Sequence, residues 1–396
     1  MPYSGIGGAV GMAVESQFCT APLTGSASPY TLGSTENPLR FFTTQPGGGL
    51  NGESTLDVKP EIDGGVERKR ITLTGKTYQG NFSWLADTEN LYYPLLGILG
   101  RDMQSSTQAG VYTHLMRPGS AAPSFTMEEQ MGDPNWARLS SGVMLEGLDI
   151  ELSSIITARM TLRAHRQIPN TYPSSSGTQS DVLFGATPAT LPVSMGGDGV
   201  KTVIRTASPA FVDLDAGQEG NGPLVFAQIS AGTHQAELLT ANGSPVNAEI
   251  LPGSRISIAR TLDSRQTAGS GFDPGAVVGG LLSITGRLVC LYEDFSLPAS
   301  MLAFRQVALN FAVTGSSIGT TGTASRLEIW LPHIKLQKVP LMHTAGAILI
   351  DADFTARLDP VSGSSIQISL TNGFNTSGLS GQSSGSTGGL SGWTAS

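Results

Sequence analysis

Residues 156–165 have the sequence ITARMTLRAH, in which apolar and polar side chains alternate throughout. Successive side chains of a β-strand point to opposite faces, so this pattern predicts a strand with one face in a hydrophobic core. The polar face, which carries Arg159, Arg163 and His165, is predicted to meet water or a partner molecule. Residues 143–152 form a similar run just before it, so the two segments are predicted to pair as a hairpin.

The sequence before this hairpin predicts further strands and one helix. Apolar residues alternate within 71–84 on both sides of Gly75, which is typical of two short strands. Residues 91–99 then carry leucine and isoleucine at helical spacing, and Gly100 can end that helix in the left-handed conformation. Alternation returns in residues 125–131, which are predicted to form another strand.

The second half of the chain repeats this order of elements. Its predicted elements are a strand at 281–292, a short helix at 298–305, and strands at 307–313, 327–331, 347–358 and 366–370. Residues 284–287 (ITGR) resemble 73–76 (LTGK), and residues 350–353 (IDAD) resemble 156–159 (ITAR). We therefore predict an internal duplication, with two unrelated β-rich domains as the alternative.

Stretches rich in glycine, proline and serine divide the chain. The predicted divisions are 1–50, an N-terminal arm or loop; 51–168, a first β-domain; 169–199, a linker; 200–376, a second β-domain; and 377–396, a Ser/Gly-rich tail. Residues 200–255 are not explained by the repeat, and an inserted module is one interpretation of them. The tail is predicted to be a flexible coil when free in solution.

Composition favours a protein covered by copies of itself. Only 14% of its 396 residues are charged, against about 25% in an average soluble protein, and 50 residues are glycine. Protein interfaces are depleted in charge, so a self-assembling chain would have this composition. The net charge of -8 argues against a sequence-reading nucleic-acid binder, and residues 67–70, the densest basic run, are interpreted as a solvated strand end.

The cysteines and the N-terminus point to no disulfide framework and no leader peptide. Cys19 and Cys290 are the two cysteines, which excludes a disulfide-rich scaffold, and Cys290 is predicted to be a small core residue. Residues 1–14 are apolar and glycine-rich without a basic start, so we expect neither a signal peptide nor a membrane span. A reducing compartment is therefore expected.

Motifs that could carry catalysis are weak. Two segments, 315–319 and 381–385, match the G-x-S-x-G nucleophile pattern, but the first lies between two predicted strands and the second in the Ser/Gly-rich tail. The five histidines have no metal-ligand spacing. The acids Glu128, Glu129, Asp351, Asp353 and Asp359 are interpreted as solvated. We therefore expect no enzyme activity, no cofactor and no metal site.

The assembled segments resemble the phage tail tube protein family. They are 71–84, 91–99, 124–132 and 143–166 in the first half and 281–370 in the second, where 326–332 and 347–353 look like the paired closing strands. The family's subunit is a small antiparallel β-sandwich with one flanking helix. The resemblance implies a mainly β (α+β) fold: two tandem antiparallel β-sandwich domains, each with one short helix, contributing strands to an oligomeric β-barrel.

The resemblance also implies how such a chain would work. Two domains per chain would build a homotrimeric ring with pseudo-sixfold symmetry, and rings would stack head to tail into a tube. The bore would hold the tape measure protein and later conduct DNA, without sequence-specific binding, past an acidic surface. Tail-tip and tail-terminator proteins would be further partners, and the protein would not associate with a membrane. It would be made in the bacterial cytoplasm and reside in the virion tail.

Contacts between subunits are expected at five residues: Arg159, Arg163, Trp330, Phe374 and Trp393. Alternatives to a tail tube are another phage structural β-protein, such as a capsid decoration, baseplate or fibre component, and a carbohydrate-binding or carbohydrate-acting β-protein. The last would need a groove lined with clustered aromatic residues, whereas aromatic residues make up 7% of this chain and its tryptophans are scattered.

Overall fold

The computed structural model describes the strands, the helix and the short connections between them. The described residues are 9–15, 18, 23–24, 30–32, 40–42, 44–45, 47–57, 72–130, 136–152, 156–171, 182–183, 210–214, 246–247, 251, 253–265, 276–291, 306–318, 321–343, 346–359 and 362–375. The predicted helix at 298–305 and the Ser/Gly-rich tail lie outside these ranges.

Strands dominate the described part of the chain. The elements of the first half are β1 Ala9–Val14, β2 Leu23–Thr24, β3 Tyr30–Leu32, β4 Arg40–Phe42, β5 Gly49–Asp57, β6 Thr72–Leu85, α1 Tyr92–Leu99, β7 Gly100–Gln108, β8 Val111–Pro118, β9 Phe125–Gln130, β10 Trp136–Leu152, β11 Thr157–Ala164, β12 Arg166–Thr171 and β13 Val182–Leu183. The elements of the second half are β14 Ala210–Leu214, β15 Val246–Asn247, β16 Ser254–Arg265, β17 Ala276–Leu291, β18 Gln306–Ser317, β19 Ala324–Lys338, β20 Leu341–His343, β21 Ile348–Ala356 and β22 Gln367–Asn372. The predicted mainly β fold is confirmed.

The alternating stretch that predicted the fold is β11. Its burial alternates along the strand as the sequence indicates, and it pairs antiparallel with β10, where Ala158 lies opposite Ile150. On its other side β11 pairs with β6, where Ala158 lies opposite Trp84. The predicted hairpin is therefore confirmed, and its third strand comes from the first alternating segment of the chain.

Helix α1 forms where its spacing predicts. The Asp87 carboxylate accepts hydrogen bonds from the backbone N–H groups of Glu89 (2.8 Å) and Asn90 (2.6 Å), which orders the turn that leads into the helix. Gly100, at φ 86°, ends it by donating its N–H to the carbonyl of Leu96. Every residue of α1 is buried, so the helix is held by packing on all sides.

Two parts of the sequence prediction are wrong in detail. Residues 72–85 form one 14-residue strand instead of two short ones, because Gly75 stays in extended register opposite Thr55 of β5. Residues 1–50 also contribute strands to the fold. β1 pairs with β9 and β4 and buries Val10, Met12 and Val14, and the boundary expected at residue 51 falls inside β5.

The strands build an antiparallel β-sandwich; among the described strands, only the β3–β13 contact is parallel. One layer runs β5–β6–β11–β10–β16–β17–β21–β19. Opposite it, β4–β1–β9–β10–β12 cover the first half, and β14–β18–β19–β22–β8–β7 cover the second. The long strands β10 and β19 bend from one layer into the other.

One large hydrophobic core connects both halves of the chain. It extends from Val10 to Phe374 and includes Trp84, Leu148 and Ile258. The halves are also interleaved, because the β7–β8 hairpin of the first half pairs with β22, the last strand of the second. Neither half therefore packs as an isolated body.

Candidate functional site

The most extended surface of the molecule is the outer face of one sheet. We call the layer β5–β6–β11–β10–β16–β17–β21–β19 the eight-stranded sheet. Its inner face buries side chains such as Phe82, Met160, Leu148 and Ile258 in the core. Its outer face carries polar and charged side chains, because each strand alternates between the two faces.

Acidic and basic side chains face one another across the outer face. One row joins Glu151 of β10, Arg255 of β16, Arg287 of β17 and Asp353 of β21 in directly opposed positions. In the neighbouring row, Arg159 of β11 lies opposite Asp149 of β10. Opposite charges on facing strands attract, so the pairs at the two ends of the first row stabilise the pairing of the strands. The central pair, Arg255 with Arg287, is like-charged and does not.

Two arginines of the outer face, Arg163 and Arg287, form close ion pairs. Arg163 Nε lies 2.9 Å from Glu146 Oε2, and Arg287 Nε lies 2.5 Å from Asp351 Oδ1. The hydrogen bond from Arg287, together with its positive charge, lowers the pKa of Asp351. These guanidinium charges are therefore largely neutralised within the chain.

A shallow cleft crosses the outer face where the two halves of the chain meet. Its volume is about 400 Å³, and it lies over the β10–β16 pairing. Side chains from both halves line it, including Asp149, Glu151, Arg159, Arg255 and Arg287. The mixture of acids and bases gives this surface no single sign of charge.

Among the described residues, the eight-stranded sheet has two edges, one at each end. At one end is β5, on which Leu56 is 55% exposed. The other end is formed by the last residues of β19 and by β20, on which Leu341 is 38% exposed. A sheet edge presents unpaired backbone groups, so these two edges are the natural positions for pairing with another chain.

Comparison with known families identifies the class of protein. The family model described as Phage tail tube protein matches residues 5–356 of this chain. The chain belongs to the phage tail tube protein family. Among curated proteins, none matches this tail tube protein significantly. Membership makes it a structural component of the virion tail that associates with itself and with other tail proteins.

The predicted contact residues of the tail tube protein have different surroundings. Arg159 is exposed on the outer face and Arg163 is paired there with Glu146. Trp330 is half-buried in β19, opposite Asn310 and Gln367. Trp393 lies outside the described residues.

Phe374 does not lie on the surface of the chain, although it was expected to contact another subunit. Its ring packs 5.1 Å from that of Tyr92 and 5.9 Å from that of Tyr93, and it is 5% exposed. The reason is that β22 pairs with β8, which brings the end of the described chain against helix α1. The contact that Phe374 makes is therefore internal.

Several acids expected to be solvated are buried. Glu128 is fully buried and Glu129 is 4% exposed, because β9 lies between β1 and β10 and is covered on both faces. Asp359 is 3% exposed and accepts a hydrogen bond of 2.7 Å from the backbone N–H of Ser362. Alternation in the sequence cannot identify Glu128 and Glu129 as buried, since β1, one of the strands that cover them, is distant in the chain.

Other buried polar groups connect distant strands. Glu15, just after β1, accepts hydrogen bonds from the hydroxyls of Ser124 (2.5 Å) and Thr126 (2.7 Å) and from the backbone N–H of Gly142 (2.9 Å). No feature of the sequence around Glu15 indicated this role. Cys290, by contrast, is a buried free thiol in the core, as predicted.

The described residues give catalysis little support. Residues 315–319 were expected between two strands, whereas 315–317 lie within β18, which pairs with β19. The described residues between these two strands form no helix of the kind that a nucleophile elbow requires. The second match, 381–385, is outside the described part of the chain. Within that part, no group of three or more His, Cys, Asp and Glu side chains is arranged to hold a metal ion. No helix within the described residues is long and apolar enough to cross a membrane.

Glu129 predicts a pH dependence of stability. Burial raises the pKa of Glu129, although its hydrogen bond from Leu50 and the charge of Arg138 oppose this. A raised pKa in the folded state means that the protonated form stabilises the fold, and this stabilisation is lost as pH rises through the folded-state pKa. The stability of the wild type relative to a Glu129→Gln variant should therefore fall as pH rises from about 4, the ordinary pKa of a glutamate, toward neutrality. Urea unfolding of both proteins across this range measures the difference, and a difference independent of pH would contradict the prediction.

Proposed function

We propose that this tail tube protein forms rings of three chains, in which the eight-stranded sheets join edge to edge into a closed barrel around the bore. The observation that carries the proposal is the β10–β16 pairing, which joins two sets of four strands into one sheet. Joining further copies in the same way would remove every free edge of the sheet. Three chains then supply six similar sets of strands.

The order of the strands supports an internal duplication. Across the sheet the first set has the order β5–β6–β11–β10, and the second has the order β16–β17–β21–β19. In both sets the third strand along the chain lies in the fourth position of the set, and the fourth strand lies in the third position. The similar segments 156–159 and 350–353 fall in the third-position strands of the two sets. The segments 73–76 and 284–287 lie in the corresponding strands β6 and β17, but at different distances from the starts of these strands. The similarity between these two segments therefore does not support the repeat.

The domain division follows from this duplication. The first set belongs to a unit of about residues 51–168 and the second to a unit within 200–376, as the sequence predicts. Two features modify the simple tandem arrangement: β1 and β4 add to the first unit, and the β7–β8 hairpin adds to the second. The segments 169–199 and 200–255 remain a linker and an insertion in this proposal.

The outer face of the eight-stranded sheet becomes the wall of the bore. Arg159 and Arg163 then lie on that wall and not in a contact between subunits, whereas Trp330 remains a candidate contact. The wall is mixed in charge where we expected an acidic surface, because its acids are matched by arginines. DNA binding without sequence preference depends on free cations that neutralise phosphates. Internal ion pairs such as Arg287–Asp351 leave fewer free cations, so DNA can pass without being held.

Assembly along the tube follows from the ring. Rings stack head to tail, a contact that propagates without closing. The bore holds the tape measure protein during assembly and conducts DNA during ejection, while tail-tip and tail-terminator proteins cap the two ends. The role is structural and involves no catalysis.

Negative-stain electron microscopy of the purified protein tests this function. The protein is concentrated and warmed at several salt concentrations, with and without a tail-tip extract that could nucleate growth. We expect stacked rings or hollow tubes, and averaged rings with three subunits and six similar lobes. Solid particles that never stack, even with the extract, would indicate a decoration or fibre protein instead.

A further inference from the structure

We propose that the ring closes where Leu50 on β5 of one chain meets Leu336 on β19 of a second copy. In the single chain, the side chains of Glu129 and Gln167 occupy this edge of β5. This inference rests on the proposed ring and adds its register. It assigns the interaction surface to two short edge segments, and the partner is another copy of this chain.

The two sets of strands can be aligned through their third strands. Thr161 of β11 lies opposite Gly147 on one side and Asn81 on the other. In the second set, Thr355 of β21 lies opposite Lys335 of β19. On its other side Thr355 lies opposite Thr285 of β17. Lys335 therefore corresponds to Gly147, and its neighbour Leu336 corresponds to Leu148.

The same alignment fixes the edge strands. Asn81 lies opposite Gly49 in the first set, and Thr285 lies opposite Ser257 in the second. One and two residues further along these strands, Leu50 corresponds to Ile258 and Asn51 to Ala259. β5 is thus the counterpart of β16, the strand that receives β10 inside the chain.

The junction inside the chain then supplies the register between chains. Within the chain, Leu148 lies opposite Ile258, and Gly147 lies opposite Ala259. The corresponding pairs between copies are Leu336 with Leu50 and Lys335 with Asn51. Each pair joins a residue of β19 to a residue of β5 in a neighbouring chain.

Burial agrees with this pairing. Leu148 and Ile258 are both fully buried at the internal junction. At the free edge, Leu336 packs on the core but is only partly buried, which is expected of a junction residue that lacks its neighbour. Pairing with Leu50 would cover it and continue the apolar inner face, while Lys335 and Asn51 lie on the outer face.

The edge of β5 is already satisfied by side chains in the single chain. The backbone N–H of Leu50 donates to Glu129 Oε1 at 2.9 Å, and Gln167 Nε2 donates to the carbonyl oxygen of Leu50 at 2.8 Å. Both backbone groups of Leu50 therefore point away from β6, toward the side where a further strand would pair. A carboxylate and an amide supply one acceptor and one donor, the same groups that a backbone partner would supply.

This arrangement gives the two side chains a definite role. An unpaired strand edge invites uncontrolled association, and native proteins protect such edges. Glu129 is itself held by Arg138 Nε at 2.7 Å, so its carboxylate is positioned at the edge. The side chains protect the β5 edge until a neighbouring β19 displaces them.

Disulfide trapping tests the register. Leu50 would be the hydrogen-bonded position, so Asn51 and Lys335 would form the closer, non-hydrogen-bonded pair, which suits a disulfide. Asn51→Cys combined with Lys335→Cys should cross-link into covalent trimers on oxidation. Glu53→Cys with Gln337→Cys, which is out of register, should not, and the wild type and each single variant control for Cys19 and Cys290.

The outcomes separate the register from the ring. Rings visible by electron microscopy together with in-register trimers support the inference. If rings form but only the out-of-register pair cross-links, or neither pair does, the register is wrong and the ring proposal stands. Absence of rings and tubes, with or without the tail-tip extract, overturns both.

A further variant tests the protecting side chains. Gln167→Ala in the Asn51→Cys, Lys335→Cys background removes one group that competes with the neighbouring strand. Cross-linking should become several-fold faster at equal folded fraction, measured by circular dichroism. An unchanged rate would exclude Gln167 as a protecting group.

Discussion

Replacement of His114 by alanine should lower the free energy of unfolding by about 3 kcal/mol, because two buried polar groups lose a hydrogen-bonding partner. His114 and Asp102 are both fully buried, and His114 Nδ1 lies 3.0 Å from Asp102 Oδ2. The hydroxyl of Tyr92 also donates to Asp102 Oδ2, at 2.9 Å. Loss of the imidazole would remove one hydrogen-bonding partner of this buried carboxylate.

The second ring nitrogen increases the effect. His114 Nε2 lies 2.9 Å from the carbonyl oxygen of Phe374, so both neighbours of the ring are acceptors. Alanine at position 114 would therefore leave two buried acceptors without the imidazole that lies between them. The same contact anchors the chain end after β22 on β8, so the variant should also loosen the packing of Phe374 on Tyr92.

Urea unfolding followed by circular dichroism measures this prediction. His343→Ala serves as the matched control, because His343 is exposed on β20 and should change stability little. The double variant His114→Gln, Asp102→Asn replaces both side chains with amides that can still form hydrogen bonds, so it should lose less stability than His114→Ala. A loss below about 1 kcal/mol for His114→Ala would show that the pair contributes no more than an exposed one.

A Gly80→Ala variant should be destabilised by about 3 kcal/mol, the upper part of the range for overpacking. A Cβ at Gly80 would overlap the carbonyl oxygen of Gly49 and lie 2.6 Å from Leu50 Cα. Both atoms belong to the backbone of β5, so no side-chain rotation can relieve the clash. The strand β5 would have to move away from β6, and with it the edge that we propose closes the ring.

Gly147→Ala is the matched control for this substitution. Gly147 lies in the same eight-stranded sheet, and an added Cβ there would meet its nearest atom at 3.6 Å, an ordinary contact. Thermal unfolding should therefore separate the two variants clearly, and electron microscopy should find assembly lost in Gly80→Ala alone. Equal melting temperatures would show that β5 accommodates the methyl group.

Local patterns in the sequence were sufficient for the elements that depend on near neighbours. The alternation of residues 156–165 predicted β11 and its buried face, and Gly100 marked the end of α1. These features are determined by backbone geometry and by side chains a few positions away, so a sequence states them directly.

The pairing of strands across the chain depended on tertiary structure. Alternation indicates which face of a strand is buried and does not say which strand lies beside it. The pairing of β10 with β16, and of β8 with β22, joins segments more than 100 residues apart. Residues 1–50 were interpreted as an arm for the same reason, since β1 is stabilised as a strand only by β9 and β4.

The buried polar groups illustrate the same limit for the candidate site. Glu129 and His114 resemble surface residues when only their sequence neighbours are considered. They are buried because Leu50, Arg138, Asp102 and Phe374 reach them from other strands and compensate the loss of water. The sequence by itself thus determined a β-rich, self-assembling chain and its local elements. Only the tertiary structure decided which edges are free and which charges are paired, because both depend on contacts between residues far apart in the chain.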